Sequence, residues 1–364
     1  MNKNESIYLD IIRFSAAMVV FLGHASGQLT GGFLWQISPY LGTAVMIFFV
    51  LSGYVIAFVV DTKEKTLHDY TISRLARLSS VVFPALILTF LFDWIGIQEN
   101  HALYYEGPWP APEIELSNYL LRALLLQNVW GLNMNPGINV PFWSLSYEML
   151  FYIIFGFIFF LRGKNRILFV IISLIVAGPD IIVYFPIWYA GVIIFRVQKK
   201  YYKWLRKNHL ISNILCITPL ILIICFTPFI VKNFEYRPEF MITSKNILAS
   251  YICASLFCVH LLFIPAFVKS ISGLLSIIAK PIILLASTTF TIYLIHRPLI
   301  QLIAAFFENN SSFESRIAVI GGSFIIMFVI GLIIERQKHS IKNTLKMFSS
   351  KFFTSDLDKK RCVE

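Results

Sequence analysis

Charged residues are scarce in this chain: Asp, Glu, Lys and Arg make up 14% of its 364 residues, whereas hydrophobic residues make up 57%. This scarcity excludes a soluble globular domain and a disordered chain, because both carry far more charged and polar residues. The sequence therefore predicts an all-α, polytopic integral membrane protein.

Several patterns that carry chemistry are also missing. No close set of His, Cys and carboxylate residues has zinc spacing, and no Walker, dinucleotide-binding or Gly-x-Ser-x-Gly pattern occurs. The five cysteines fall in apolar runs or near the C-terminus, which excludes a disulfide framework on the outer side of a membrane. We therefore predict a site without a metal ion.

Long apolar runs are present instead, and we predict about ten transmembrane helices from them. The fifth and sixth runs are short enough that a re-entrant hairpin is an alternative for them. The ten runs cover residues 7–27, 40–60, 79–97, 142–161, 167–178, 181–195, 210–231, 246–267, 281–304 and 317–335.

The positions of Lys and Arg predict the orientation. Most of the 31 basic residues fall in alternate inter-helix segments and the C-terminal tail, which places both termini in the cytoplasm. These residues are scattered and no nucleic-acid motif accompanies them, so we expect the lipid bilayer as a partner and no nucleic acid. The first run lacks a small-residue cleavage site and is expected to be retained.

We divide the chain into a transmembrane domain over residues 1–336 and a basic cytoplasmic tail over residues 337–364. In the tail, Ile341, Leu345, Phe348 and Phe352 recur at helical intervals among lysines, which predicts an amphipathic helix followed by disorder. The longest outer segment, residues 98–141, contains an apolar stretch at 119–130 that predicts an interfacial helix or a lid.

Ionisable residues interrupt the first apolar run. Arg13 and His24 are eleven residues apart, so in a helix they share one face, separated by roughly 16 Å of rise. An arginine within a span costs roughly 2.5 to 3.5 kcal/mol on translocon scales and calls for a partner, for which Asp10 is suitably spaced. His24 near the outer end suits a general base, although a histidine bonded to a neighbouring helix is the alternative.

Further polar groups mark the third, fourth and ninth runs. Arg74 and Arg77 begin the third run at its inner end, where they suit either a phosphate-bearing ligand or a simple inner-face anchor. In the fourth run Glu148 needs a partner, for which Arg13, Arg297 and His24 are candidates. Pro298 interrupts the ninth run. The supporting residues that we select around these groups are Ser144, Tyr147, Tyr293 and His296.

These segments together resemble acyltransferase family 3, the polytopic membrane O-acyltransferases, over nearly the whole chain. The resemblance rests on five ordered motifs. They are Leu9 to Arg13 with His24, Phe48 to Tyr54, the Arg74 and Arg77 pair, Phe142 to Glu148, and Tyr293 to His296.

The resemblance implies transfer of an acyl group, usually acetyl, from cytoplasmic acyl-coenzyme A to a hydroxyl of a surface glycan or lipid-linked saccharide. It implies the bacterial inner (plasma) membrane and the form without a fused hydrolase-like domain. In this scheme Arg74 and Arg77 bind the coenzyme A phosphates, while His24, Arg13 and Glu148 are catalytic. A direct transfer and an acyl-enzyme on His24 are both compatible with it.

Two other classes of function compete with this interpretation. A transporter or flippase for glycan precursors would use intramembrane charges to line a substrate pathway. A non-catalytic membrane scaffold would use them only to pair with one another. Covalent transfer of label from acetyl-coenzyme A to a hydroxylated acceptor is expected for the enzyme alone.

Overall fold

The computed structural model describes residues 1–111, 119, 122–207, 209–236 and 246–361, and these residues form helices and loops without a β-strand. The predicted all-α class is confirmed. In chain order the helices are α1 Lys3–Ala25, α2 Leu41–Thr62, α3 Leu67–Glu99, α4 His101–Tyr105, α5 Trp143–Phe160, α6 Gly163–Ala177, α7 Pro179–Lys207, α8 His209–Asn233, α9 Ile247–Ser270, α10 Ser272–Ala286, α11 Thr289–Ala305, α12 Phe313–Ile317, α13 Ser323–Ile334 and α14 Lys338–Arg361.

Eight helical segments of the described chain are long and apolar enough to cross a membrane, and the bent pair α10 and α11 adds a ninth. The polytopic architecture is therefore confirmed. The fifth predicted run lies on α6, whose 15 residues rise only about 22 Å, less than a bilayer core of about 30 Å. The sixth run is not short: it belongs to α7, a continuous helix of 29 residues that can span.

Helix α1 lies at the centre of the bundle, where it contacts α2, α9, α10 and α11. Its partner α2 in turn packs closely on α7. A Cβ atom on Gly53 would lie 2.0 Å from the carbonyl oxygen of Trp188, and one on Gly191 would lie 2.0 Å from that of Val50. The two backbones therefore approach so closely that only glycine fits at either position.

A break of two residues separates α10 from α11, and the two helices meet at 49°. Three successive hydroxyls donate to the last carbonyls of α10: Ser287 to Leu284 at 2.7 Å, and Thr288 and Thr289 to the next two carbonyls at 2.9 Å each. These side chains add donors to carbonyls at a helix end, where the regular backbone hydrogen bonds run out. The chain can therefore bend within an apolar environment.

Helix α11 contains Pro298, which has no N–H to donate to the carbonyl of Leu294 one turn earlier. Asn139, fully buried in the turn before α5, replaces this donor: its Nδ2 lies 2.7 Å from the Leu294 oxygen and 2.9 Å from Thr89 Oγ1 on α3. The prediction that the proline frees a backbone group is therefore correct. The freed carbonyl is held by a side chain rather than exposed to a cavity.

The tail forms α14, which packs against α3, and His68 on α3 hydrogen bonds with Ser349. Ile341 and Leu345 are half-buried on this helix, whereas Phe348 is exposed. The helix runs to Arg361, and residues 362–364 lie outside the described residues. The division of the chain at residue 336, like the cytoplasmic placement of both termini, stays a prediction.

Candidate active site

The predicted site residues fall into two neighbouring sets between α1, α3, α5 and α11. The first set contains His24 and His296, on α1 and α11. His296 is fully buried, and its Nε2 lies 3.1 Å from His24 Nδ1. The two rings are 4.9 Å apart at their centroids. His296, selected from the sequence as a supporting residue, thus lies in direct contact with the candidate base.

Backbone carbonyls determine which ring nitrogen carries the proton. His24 Nδ1 lies 3.0 Å from the Val20 oxygen, and His296 Nδ1 lies 2.7 Å from the Tyr293 oxygen. A carbonyl only accepts, so in the neutral rings both Nδ1 atoms are protonated. His296 Nε2 then accepts from the His24 N–H, which is shared with Val20. His24 Nε2 keeps its lone pair and is the basic atom of the pair.

Trp109 packs against His24 of this pair. Its ring packs edge-on against His24 at 6.0 Å, and the guanidinium carbon of Arg297 lies 4.4 Å from its centroid. Its carbonyl accepts from Gln301 Nε2 at 3.2 Å. Trp109 precedes the stretch 119–130 that was predicted as a lid, in which residues 120 and 121 lie outside the described residues.

The second set surrounds Arg13 and Arg77. Arg13 Nη1 donates to Asp10 Oδ1 at 3.0 Å, the ion pair expected from their spacing. Arg77 on α3 has Glu148 as its acidic neighbour, with Nη2 and Oε1 3.9 Å apart. Both arginines line the same internal cavity, so the face of α1 that carries Arg13 is turned toward a space rather than toward lipid.

Glu148 contacts neither His24, Arg13 nor Arg297, which corrects all three partners suggested from the sequence. Besides Arg77, its Oε1 accepts from Ser52 Oγ at 3.3 Å and from the Tyr152 hydroxyl. The carboxylate is thus held by α2, α3 and α5 beside the cavity. These contacts place its negative charge beside Arg77, where it can offset the positive charge, and not beside His24, where it could orient the base.

Arg74 differs from Arg77 although both belong to one motif. Its Nη2 donates to Glu64 Oε1 at 2.8 Å, and its guanidinium lies over the rings of Tyr70 and Tyr152. Both members of the ion pair are nearly buried. Arg77 lines the cavity and Arg74 does not, so the two arginines of this motif do not face one common space.

Ser144 and Tyr293 both line this cavity and are hydrogen bonded to each other. The Tyr293 hydroxyl donates to Ser144 Oγ at 2.9 Å, and its ring lies 6.1 Å from that of His296. Tyr147 instead lies in an aromatic cluster with Phe49, Trp143 and Tyr184. Among the supporting residues selected from the sequence, Ser144 and Tyr293 therefore belong to the cavity and Tyr147 to the core.

The cavity has a narrow inner part and a wide mouth. The narrow part, about 70 Å³, runs between Arg13, Arg77, Glu148, Ser144 and Tyr293. The mouth, about 410 Å³, shares both arginines with it and continues to Arg336, Lys338 and His339. His24 lines neither part among the described residues. Tyr293 is the side chain that both lines the narrow part and contacts His296.

Four residues of this arrangement were not selected from the sequence: Ser52, Trp109, Asn139 and Tyr152. Two of them had a signal, because Ser52 lies in the Phe48 to Tyr54 motif and Tyr152 follows Glu148 by one helical turn. Trp109 and Asn139 are loop residues with no local pattern. Only the packing of the loop against α3 and α11 identifies them.

Comparison with known proteins supports the resemblance to acyltransferase family 3. A family model described as an acyltransferase domain matches residues 6–336. The chain is 31% identical to an O-acetyl transferase of Shigella phage Sf6 over 202 residues, which are 49% of this chain and 53% of that protein. It is 29% identical to the acyltransferase MdmB of Streptomyces mycarofaciens over 152 residues, 40% and 36% of the two chains.

The chain thus spans about half or less of the length of these curated relatives. No solved structure matches it. The family model, however, extends over nearly all of the residues that carry α1 to α13, including both sets of site residues. The chain belongs to acyltransferase family 3.

Proposed function

We propose that this protein is a membrane O-acyltransferase that moves an acyl group, most simply acetyl, from cytoplasmic acyl-coenzyme A to a hydroxyl of a surface glycan or lipid-linked saccharide. The observation that carries the proposal is the pairing of His24 with His296 next to a cavity lined by Arg13 and Arg77. Membership of the family, and the name of the phage relative, support O-acetyl transfer.

The chemistry follows from the tautomer of the histidine pair. His24 Nε2 accepts the proton of the acceptor hydroxyl as its oxygen attacks the thioester carbonyl, so a C–O bond forms and the C–S bond then breaks. The thiolate of coenzyme A takes up a proton, which His24 can return. His296 and Val20 hold the Nδ1–H and so keep Nε2 directed away from them.

The donor would enter through the wide mouth and extend its slender pantetheine arm along the narrow part of the cavity. Arg13 and Arg77 line both parts, and they supply positive charge along this path. The acyl end would meet Tyr293 next to His296, so movement of this tyrosine ring would admit the thioester to His24. The acceptor would come from the opposite, outer end of α1, under Trp109.

The test uses purified protein with radiolabelled acetyl-coenzyme A and a panel of hydroxylated saccharides. His24→Asn retains an amide N–H near the Nδ1 position and removes the basic nitrogen, so it should abolish transfer while the protein stays folded. His101→Asn makes the same change at an exposed position and should transfer normally. Normal transfer by His24→Asn would contradict the assignment of the base.

The same assay separates the competing classes. A glycan-precursor transporter would move a labelled saccharide across a vesicle membrane without acetylating it, and a scaffold would do neither. Absence of covalent label on every acceptor, from protein that binds the saccharide, would favour the transporter.

A further inference from the structure

The mouth of the cavity is strongly basic. Among the described residues that line it, the positively charged ones are Arg13, Arg77, Arg336 and Lys338, with His339 beside them, and the acidic one is Glu335. Asp10 and Glu148 offset the two deeper arginines. Arg336 and Lys338 have no salt-bridge partner within the described chain and are exposed, so the outermost part of the mouth keeps an uncompensated positive charge.

Glu335 brings one negative charge against these cations, and its carboxylate lies at the start of α11. Its Oε1 accepts from the backbone N–H of Thr291 at 2.9 Å, in the first turn of that helix. A carboxylate at a helix N-terminus is stabilised there by the unpaired N–H groups. Glu335 therefore fixes the junction of α13 and α14 against α11 and positions the basic residues that follow it.

The fold also holds this basic segment beside Arg77. Arg336 lies in the short turn after α13, and Lys338 begins α14, which packs on the same helix α3 that carries Arg77. The contact of His68 with Ser349 ties α14 to α3 further along. Residues from the start of the tail and from the third helix are thus brought to one opening, although they are far apart in sequence.

We infer that Arg336, Lys338 and His339, together with Arg77, form a subsite for the phosphate groups of the acyl donor. The inference rests on the proposed function. It assigns the phosphate-binding role expected of Arg74 to residues between the end of α13 and the start of α14. Guanidinium and ammonium groups at one opening match phosphate oxygens in charge and hydrogen bonding. The change from a wide mouth to a narrow channel suits a ligand with a bulky phosphorylated end and a slender thioester arm.

The experiment measures binding of coenzyme A, 3′-dephospho-coenzyme A and pantetheine by calorimetry, with the full chain in phosphatidylcholine nanodiscs. Arg336→Ala with Lys338→Ala should weaken coenzyme A binding about tenfold or more, since each removes a charge-assisted hydrogen bond. Pantetheine binding should not change. Lys346→Ala removes the same charge from α14 outside the cavity and should leave both affinities unchanged.

Equal weakening for coenzyme A and pantetheine would show a structural effect and overturn the subsite, as would an unchanged affinity for coenzyme A. A second arm adds phosphatidylglycerol to the nanodiscs: if anionic lipid abolishes the difference between wild type and variant, the mouth binds lipid headgroups instead of the donor. Variant-sensitive coenzyme A binding without acyl transfer would keep the subsite and refute the proposed transferase. Acyl transfer by the protein, with a coenzyme A affinity that is unchanged in the variant, would keep the proposed transferase and refute the subsite.

Discussion

The contact between His24 and His296 predicts how much catalysis depends on the second histidine. His296→Asn keeps an amide N–H near the position of Nδ1, where it can donate to the Tyr293 carbonyl, but removes the Nε2 atom that accepts from His24. His24 then retains one acceptor for its Nδ1–H, the Val20 oxygen at 3.0 Å. The imidazole should keep its tautomer and lose part of its restraint.

The expected effect follows from the strength of that hydrogen bond. A hydrogen bond between neutral groups contributes a net of about 0.5 to 1.5 kcal/mol, which corresponds to roughly 2- to 12-fold in rate if all of it is lost from the transition state. Loss of the general base itself costs about 10² to 10⁴. His296→Asn should therefore lower kcat by about three- to tenfold, far less than His24→Asn.

Steady-state transfer from acetyl-coenzyme A measures both variants, with His101→Asn as the control. The KM for the donor should stay constant in His296→Asn, because no donor-binding residue changes. The double variant should be no slower than His24→Asn alone, since His296 acts through His24. A loss in His296→Asn as large as that in His24→Asn would refute this reasoning and would make His296 a direct participant in the reaction.

Three further predictions concern the inner set and the loop. Arg77→Ala should weaken coenzyme A binding. Arg74→Ala should mainly lower stability, by about 3 kcal/mol, because it leaves the buried Glu64 without its cation. Calorimetry measures the affinities and thermal unfolding the stabilities, and an equal loss of affinity in both variants would contradict this prediction. Glu148→Gln retains an acceptor for Ser52 and Tyr152 but removes the negative charge beside Arg77, so the affinity for the donor should not fall. A loss of more than about a hundredfold in kcat would instead show that Glu148 acts together with the base. Asn139→Leu should lower the free energy of unfolding by about 1 to 3 kcal/mol, measured by thermal denaturation, since two buried acceptors lose their donor, and an unchanged Tm would show that water replaces it.

The sequence pattern alone predicts those features of the structure that depend on a single helix. The ion pair of Asp10 with Arg13 follows from a spacing of three residues, and the hydrogen bond of Tyr152 to Glu148 follows from a spacing of four. Both are found in the structure. The membrane helices likewise follow from apolar run length, with two exceptions: charged residues from Asp180 and Arg196 onward made α7 look shorter than it is, and the run 167–178 lies on α6, which is too short to span.

Partners across helices could not be obtained in the same way. From the sequence, two arginines and a histidine were candidate partners of Glu148. In the structure its partner is Arg77, because α3 packs against α5. Arg74 and Arg77 are three residues apart, so their directions differ by only about 60° around the helix. Glu64, in the loop before α3, decides that Arg74 is paired and Arg77 faces the cavity.

The separation of the two sets along α1 has a physical consequence for a reaction that uses both faces of a membrane. Arg13 lines the cavity that opens past Lys338, whereas His24 lies about three helical turns away, with Val20, His296 and Trp109 around its ring. In the proposed transferase, the charge for the donor and the base for the acceptor are thereby held on one helix at a fixed distance. Because Tyr293 contacts both the cavity and His296, the proposed mechanism requires the thioester to pass this side chain, and the base would be kept away from water in the mouth until the donor is in place.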